Sequence, residues 1–192
     1  MTDCLVIIDV QYGFLINKET KEIPYKIRDL LKDKSFDHIV ATKFLNKKDS
    51  PFVRFMDWYD VMEDEIHPEI LKVAEKTFNK NLYTCFNKKF EKYIKNNNVD
   101  KLYFVGIDTD ACVLKSAIDC FERNIDFEVL VDFCASSGGE EYHNAAIKVL
   151  ERTIGENVLK RLDKWQRKLY TDNIKTQRRK IWLNKKILIN YF

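Results

Sequence analysis

One stretch, residues 101 to 121, leaves few choices for the fold. Lys101-Leu-Tyr-Phe-Val105 is an apolar, β-branched and aromatic run, the pattern of a strand buried on both faces of a parallel sheet. Gly106 ends that run, and from Val113 onward Leu114, Ala117, Ile118 and Phe121 recur at helical spacing. Strand, tight turn and amphipathic helix together form the repeating unit of an α/β fold. Thr109 or Asp110 is expected to cap the helix, because a short oxygen side chain there satisfies its unpaired first N–H groups. Cys112 then falls in the first helical turn. Partial positive charge and free N–H donors at that place favour a thiolate and can hold an oxyanion. The competing reading is a small apolar thiol packed under the helix.

The rest of the chain repeats the alternation. Cys4-Leu-Val-Ile-Ile8 reads as a central buried strand with Asp9 at its carboxyl end, where open α/β sheets bind ligands. Ile23, Ile27, Leu30 and Leu31 mark a helix over residues 22–33, with Pro24 in its first turn. His38 to Phe44 reads as the second strand. Leu45 to Glu65 carries Pro51, Phe52, Phe55, Trp58 and Tyr59 without a clean period, so a long irregular connection is expected over the carboxyl edge of the sheet. Such a connection can wall a substrate pocket. His67-Pro68 opens a turn or short helix. Leu71 to Lys76 reads as the third strand, Phe86 to Ile94 as a helix, Ile125 to Val131 as the fifth strand, and the segment through Ala146, Val149 and Leu150 as the last helix.

The architecture expected is a three-layer αβα sandwich around a mostly parallel sheet of five or six strands. It occupies residues 1–159, followed by a basic extension over 160–192. The net charge of +3 conceals a division. Residues 1–159 carry 22 Lys and Arg against 28 Asp and Glu, a balance of −6, while 160–192 carry 11 against 2, a balance of +9. The tail interleaves its charge with Trp165, Tyr170 and Trp182. Such interleaving can contact nucleic acid, but packing on the acidic body or on a neighbouring subunit is the expected role. The five cysteines are scattered, odd in number and free of C-x-x-C pairs, which suits a reducing cytoplasm. No apolar run reaches membrane-spanning length, and Met1 to Leu5 lacks the charged-then-apolar pattern of a signal peptide, so an intracellular protein is expected.

Gly106, Thr109, Asp110, Cys112, Val113, Ser116 and Ala117 spell G-x-x-T-D-x-C-V-x-x-(T/S)-A without a gap. This run resembles the nucleophile turn of the isochorismatase-like cysteine hydrolases, a family that includes nicotinamidases and carbamoyl-amide hydrolases. Asp9, Gln11 and Phe14 resemble its D-x-Q-x-x-F pattern, and Asp132 to Ser136 its D-x-x-A-S turn. The resemblance covers residues 3 to 159. It implies a Cys-Lys-Asp triad of Cys112, Lys76 and Asp9, with Lys72 and Lys80 as neighbouring candidates should the third strand be displaced. It also implies oxyanion donors at the backbone N–H groups of Asp108 and Cys112, and a cis peptide between Ile107 and Asp108. Gln11, Phe14 and Trp58 are pocket candidates, and His143 is expected to be structural. Metal-dependent members carry a D-x-H pair after the second strand. Here that place reads Thr42-Lys-Phe-Leu-Asn46, so neither metal nor cofactor is expected.

The function implied is hydrolysis of an amide-type C–N bond in a small molecule through a thioester-type intermediate, in an enzyme expected to be a homo-oligomer. A family fold kept as a binding or regulatory protein, or a redox-active thiol protein, are the alternatives.

Overall fold

The computed structural model describes residues 1–162, and the basic extension from residue 163 onward lies outside the described residues. Six strands form one sheet in the order β3-β2-β1-β4-β5-β6, and every adjacent pair runs parallel. They are β1 (Asp3–Ile8), β2 (His38–Phe44), β3 (Lys76–Lys80), β4 (Lys101–Ile107), β5 (Asp126–Ala135) and β6 (Leu159–Lys160). Helices cover both sides of the sheet: α1 (Lys18–Asp33), α2 (Pro51–Met56), α3 (Pro68–Leu71), α4 (Lys88–Asn96), α5 (Leu114–Glu122) and α6 (Glu140–Ile154). The three-layer α/β architecture is thus as expected, with six strands. None of the described helices is long and apolar enough to cross a membrane.

Buried hydrophobic runs explain the sheet's centre. Cys4 to Ile8 are wholly buried, and Leu102 to Val105 nearly so, because both faces of β1 and β4 are covered by helices. On one face of the sheet Cys4, Val6, Ile8, Leu102 and Phe104 pack with Phe86, Phe90, Val129 and Leu150 in one core. Where β4 meets Gly106 its register against β5 shifts. Gly106 itself takes φ +120°, and a Cβ there would lie 2.1 Å from the Ile8 carbonyl oxygen. Only glycine lets β4 pass β1 so closely at the end that carries the site.

Three local expectations are corrected. Helix α1 starts four residues before 22, because Asn17 and Thr20 form a reciprocal capping box. Pro24 consequently sits inside the helix. The third strand is displaced: Leu71 ends α3, and β3 occupies Lys76 to Lys80. Leu71 and Val73 mimic a half-buried alternation, whereas the real edge strand, Lys-Thr-Phe-Asn-Lys, buries only Phe78 and Lys80 and lacks an apolar signature. Finally, neither Thr109 nor Asp110 caps the helix that follows Cys112. Both lie within a π-helical turn, Thr109–Val113, that precedes α5.

Candidate active site

Because β1 and β4 are neighbours while β2 separates β1 from β3, three strand ends and one turn converge at the sheet's carboxyl edge. Asp9 leaves β1 with φ 45°. The turn after β4 presents Cys112, and the last residue of β3 is Lys80. The Lys80 ammonium lies 2.6 Å from Asp9 Oδ2 and 3.2 Å from Cys112 Sγ. It also donates to the carbonyls of Leu82 at 2.9 Å and Tyr83 at 3.2 Å, and it sits 5.1 Å from the centre of the Phe44 ring. Asp9 is fully buried and the Lys80 side chain is 2% exposed.

The lysine that meets Asp9 and Cys112 is therefore Lys80 and not Lys76. Lys76, at the opposite end of β3, is exposed and lies over the rings of Phe78 and Tyr93. The displacement of the third strand accounts for the shift: its carboxyl end is four residues later than the apolar pattern suggested.

Thr42 on β2 supplies a contact that sequence reasoning missed. Its hydroxyl donates to Asp9 Oδ1 at 2.7 Å and accepts from the Asp9 backbone N–H at 3.2 Å, fixing the carboxylate from the strand between β1 and β3. The pairing of β1 with β2 brings Ile7 opposite Ala41, so the residue after each strand pair was open to prediction once the strand order was known.

The electrostatics of the cluster differ from the expected standing thiolate. Burial pushes the Cys112 thiol well above its usual range, and the adjacent Asp9 carboxylate pushes the same way, while Lys80 opposes both. Burial depresses the Lys80 ammonium, but its attraction to Asp9 and Cys112 prevails and holds it above the ordinary lysine value. Lys80 is thus already matched by Asp9, and the sulfur rests as a thiol beside a carboxylate. A buried ion pair with a neutral thiol carries no net charge, which limits the cost of burying it.

Around the turn, Thr109 Oγ1 and His143 Nδ1 are 2.8 Å apart, tying the π-helical turn to α6. Asp108 accepts from the Ser137 N–H at 2.6 Å and from its hydroxyl at 2.8 Å. Burial, working against these bonds, pushes the Asp108 carboxyl up to about 6. The Ile107–Asp108 peptide is cis. Ser116 on α5 accepts from the Cys85 N–H at 3.0 Å, joining α5 to the loop after β3.

Cys112 lies at the floor of a cavity of about 690 Å³. Phe14, Phe44, Phe52, Trp58 and Tyr83 form its aromatic wall, with Phe14 and Trp58 stacked at 6.3 Å between centroids. The long connection between β2 and α3 supplies much of this wall, through Phe52, Met56 and Trp58. Gln11 is not part of it. That side chain is fully buried and bonded to both backbone groups of Phe44 and to Asp64, a structural role. The unpaired backbone of the β2 end explains this capture, since a buried amide can satisfy its N–H and C=O together. Among the described residues, no group of three or more His, Cys, Asp or Glu side chains is arranged to hold a metal ion.

The isochorismatase domain family matches residues 3–160. A curated relative, isochorismatase family protein 2A of Dictyostelium discoideum, is 29% identical over 70 residues, spanning 35% of each chain. An isochorismatase-like hydrolase from Alkaliphilus metalliredigens superposes with a TM-score of 0.70 at 19% identity, covering 84% of this chain and 94% of that one. N-carbamoylsarcosine amidase from Thermoplasma acidophilum gives 0.68 at 21%, covering 84% and 95%. A nicotinamidase from Bacillus subtilis gives 0.63 at 19%, covering 81% and 97%. At these identities the structural likenesses speak for the fold, and the family match over most of the described chain places the protein: it belongs to the isochorismatase family.

Proposed function

We propose that the protein is a cysteine-dependent hydrolase of an amide-type C–N bond in a small molecule, with Asp9, Lys80 and Cys112 as its triad. The observation that carries this reading is the buried Lys80 ammonium, within 2.6 Å of the Asp9 carboxylate and 3.2 Å of the Cys112 sulfur, beneath an open aromatic cavity. The names of the superposing amidase and nicotinamidase agree with it.

In the proposed reaction, the Cys112 thiol gives its proton to Asp9 as Sγ bonds to the carbonyl carbon. The nascent thiolate charge falls beside Lys80, whose partner Asp9 has just been neutralised. The ammonium thus stabilises the attacking sulfur more strongly at that moment than at rest, a gain confined to the reaction coordinate. Backbone N–H groups of Asp108 and Cys112 receive the oxyanion. Protonated Asp9 then delivers its proton to the leaving nitrogen as the C–N bond breaks, leaving an acyl thioester on Cys112. Water, deprotonated by Asp9, attacks the thioester. The C–S bond breaks, the carboxylic acid leaves, and the sulfur recovers the proton from Asp9.

Incubation with a panel of primary amides and carbamoyl compounds, followed by ammonia release and intact mass, tests this. Hydrolysis with an acyl adduct on Cys112 is expected. A Cys112 that stays unmodified with every amide and with a small electrophile would instead favour a binding protein, and its reversible pairing with another cysteine a redox role.

A further inference from the structure

The walls of the cavity are charged in one sense. Asp60, Glu63, Asp64, Asp108 and Asp110 line it beside the aromatic rings, and no Lys, Arg or His side chain lines it among the described residues. Among the described residues the ammonium nearest Cys112 is that of Lys80, buried and paired with Asp9. Among the described residues, the field that a substrate meets on entry is therefore that of the carboxylates. The location of the site is fixed independently, by Cys112 at its floor; the carboxylates bear on what enters.

Their hydrogen bonding separates them. Asp64 Oδ2 already accepts from the Gly13 N–H and the Gln11 amide, and Asp108 from Ser137. Asp110 Oδ1 is buried and has no hydrogen-bond partner. No cation among the described residues neutralises this carboxylate at that oxygen, and Asp110 is only half-buried where it lines the cavity, so a ligand ammonium lying against it would offset its uncompensated charge. The same residue sits two positions before Cys112, so a donor that reaches it lies close to the reacting sulfur. Aromatic faces nearby, Phe14, Trp58 and Tyr83, suit the apolar body of such a ligand and attract a cation. An organic cation fits better than a metal ion, because the described carboxylates do not converge as metal ligands.

We infer that the substrate is a small amide carrying a positively charged nitrogen, held by Asp110 and the acidic wall while its apolar part lies against Phe14 and Trp58. This rests on the hydrolase reading of Cys112. An anionic amide meets uncompensated repulsion at the same wall, so selectivity arises from rejection as well as attraction.

Three primary amides of matched length test it: hexanamide, 6-aminohexanamide and the monoamide of adipic acid. Ammonia release by the full-length chain is expected to give a kcat/KM for 6-aminohexanamide about tenfold or more above hexanamide, with the anionic amide slowest. Asp110→Asn is expected to reduce the cationic-to-neutral ratio by about tenfold, and added salt to compress it. Hydrolysis with hexanamide or the anionic amide preferred would overturn the cationic assignment and leave the hydrolase intact. Should none of the three be hydrolysed, calorimetric binding to the Cys112→Ser protein decides: tighter binding of 6-aminohexanamide supports the inference, and equal or weaker binding refutes it even though catalysis has failed on other grounds.

Discussion

The floor and the wall of the cavity are built by different means. The floor comes from strand ends: Asp9 after β1, Lys80 at the end of β3, and Cys112 on the turn after β4, with Thr42 on β2 clamping Asp9 between them. Its side chains are buried and bonded to one another, Lys80 holding Asp9, Cys112 and two loop carbonyls at once. The wall comes from connections, chiefly the segment from Leu45 to Ile66, and several of its residues, such as Met56 and Asp60, are exposed. On the proposed reading, chemistry that tolerates little displacement sits on the rigid element, and selectivity on the part that can vary without disturbing the sheet.

If the floor alone carries the chemistry, Cys112→Ser should lower kcat by about 10⁴-fold or more, because a serine hydroxyl in the same place is a far poorer nucleophile for this pair of partners. Steady-state ammonia release and intact mass together check this, the variant forming no acyl adduct.

The two ends of β3 give the next contrast. Lys80→Met should abolish most activity and also destabilise the fold, since it strands Asp9 as a buried unpaired charge. A loss of roughly 3–5 kcal/mol is expected, which thermal unfolding should register as a fall in Tm on the order of 10 °C. Lys76→Ala, at the exposed end of the same strand, should leave turnover within about twofold and Tm nearly unmoved, as for surface substitutions generally.

Asp108 lies where floor and wall meet. Asp9 and Asp110 face it from the β1 end and its own turn, Tyr83 from the loop after β3, and Ser137 from the turn after β5; His143 of α6 bonds its neighbour Thr109. Its folded carboxyl titrates near 6 instead of near 3.8, raised chiefly by burial. The folded state therefore binds this proton more tightly than the unfolded state does. The favourable contribution is complete below about pH 4 and is lost as pH rises through 6, roughly 3 kcal/mol in all. Denaturant titrations at pH 4, 5, 6 and 7 should show that decline, and Asp108→Asn should flatten it.

The mildest effect belongs to the wall. Trp58→Ala should raise KM by about tenfold while kcat changes little, because the ring supplies binding area and touches no reacting atom. A matching fall in kcat would move Trp58 into the floor's company and blur the distinction.

The same division governs what could be read from the chain. Asp9 and Cys112 follow long apolar strands whose ends are unmistakable in sequence, and the turn motif around Cys112 is specific. The apolar pattern points to Lys76, with Lys80 only as a neighbouring candidate, because β3 is an edge strand with two buried residues, too little hydrophobic pattern to locate its end. Thr42 escaped notice because its role depends on a neighbouring strand and has no local signal. Gln11 was assigned to the pocket from the D-x-Q-x-x-F run, but its amide serves the β2 backbone. Phe14 and Trp58 do line the cavity. The carboxylate wall was invisible, since Asp60, Glu63 and Asp64 look like any solvated acidic stretch until the connection folds over the sheet.

The most direct test of the Asp9–Lys80–Cys112 centre is the rate at which an amide-derived aldehyde, a reversible thiol trap, forms its adduct with Cys112, followed by mass in four proteins. Rapid labelling is expected in the native protein and in Lys76→Ala, with labelling slowed by a hundredfold or more, roughly the worth of general-base assistance, in Asp9→Asn and Lys80→Met. Equal labelling in all four, with the variants folded, would contradict the triad.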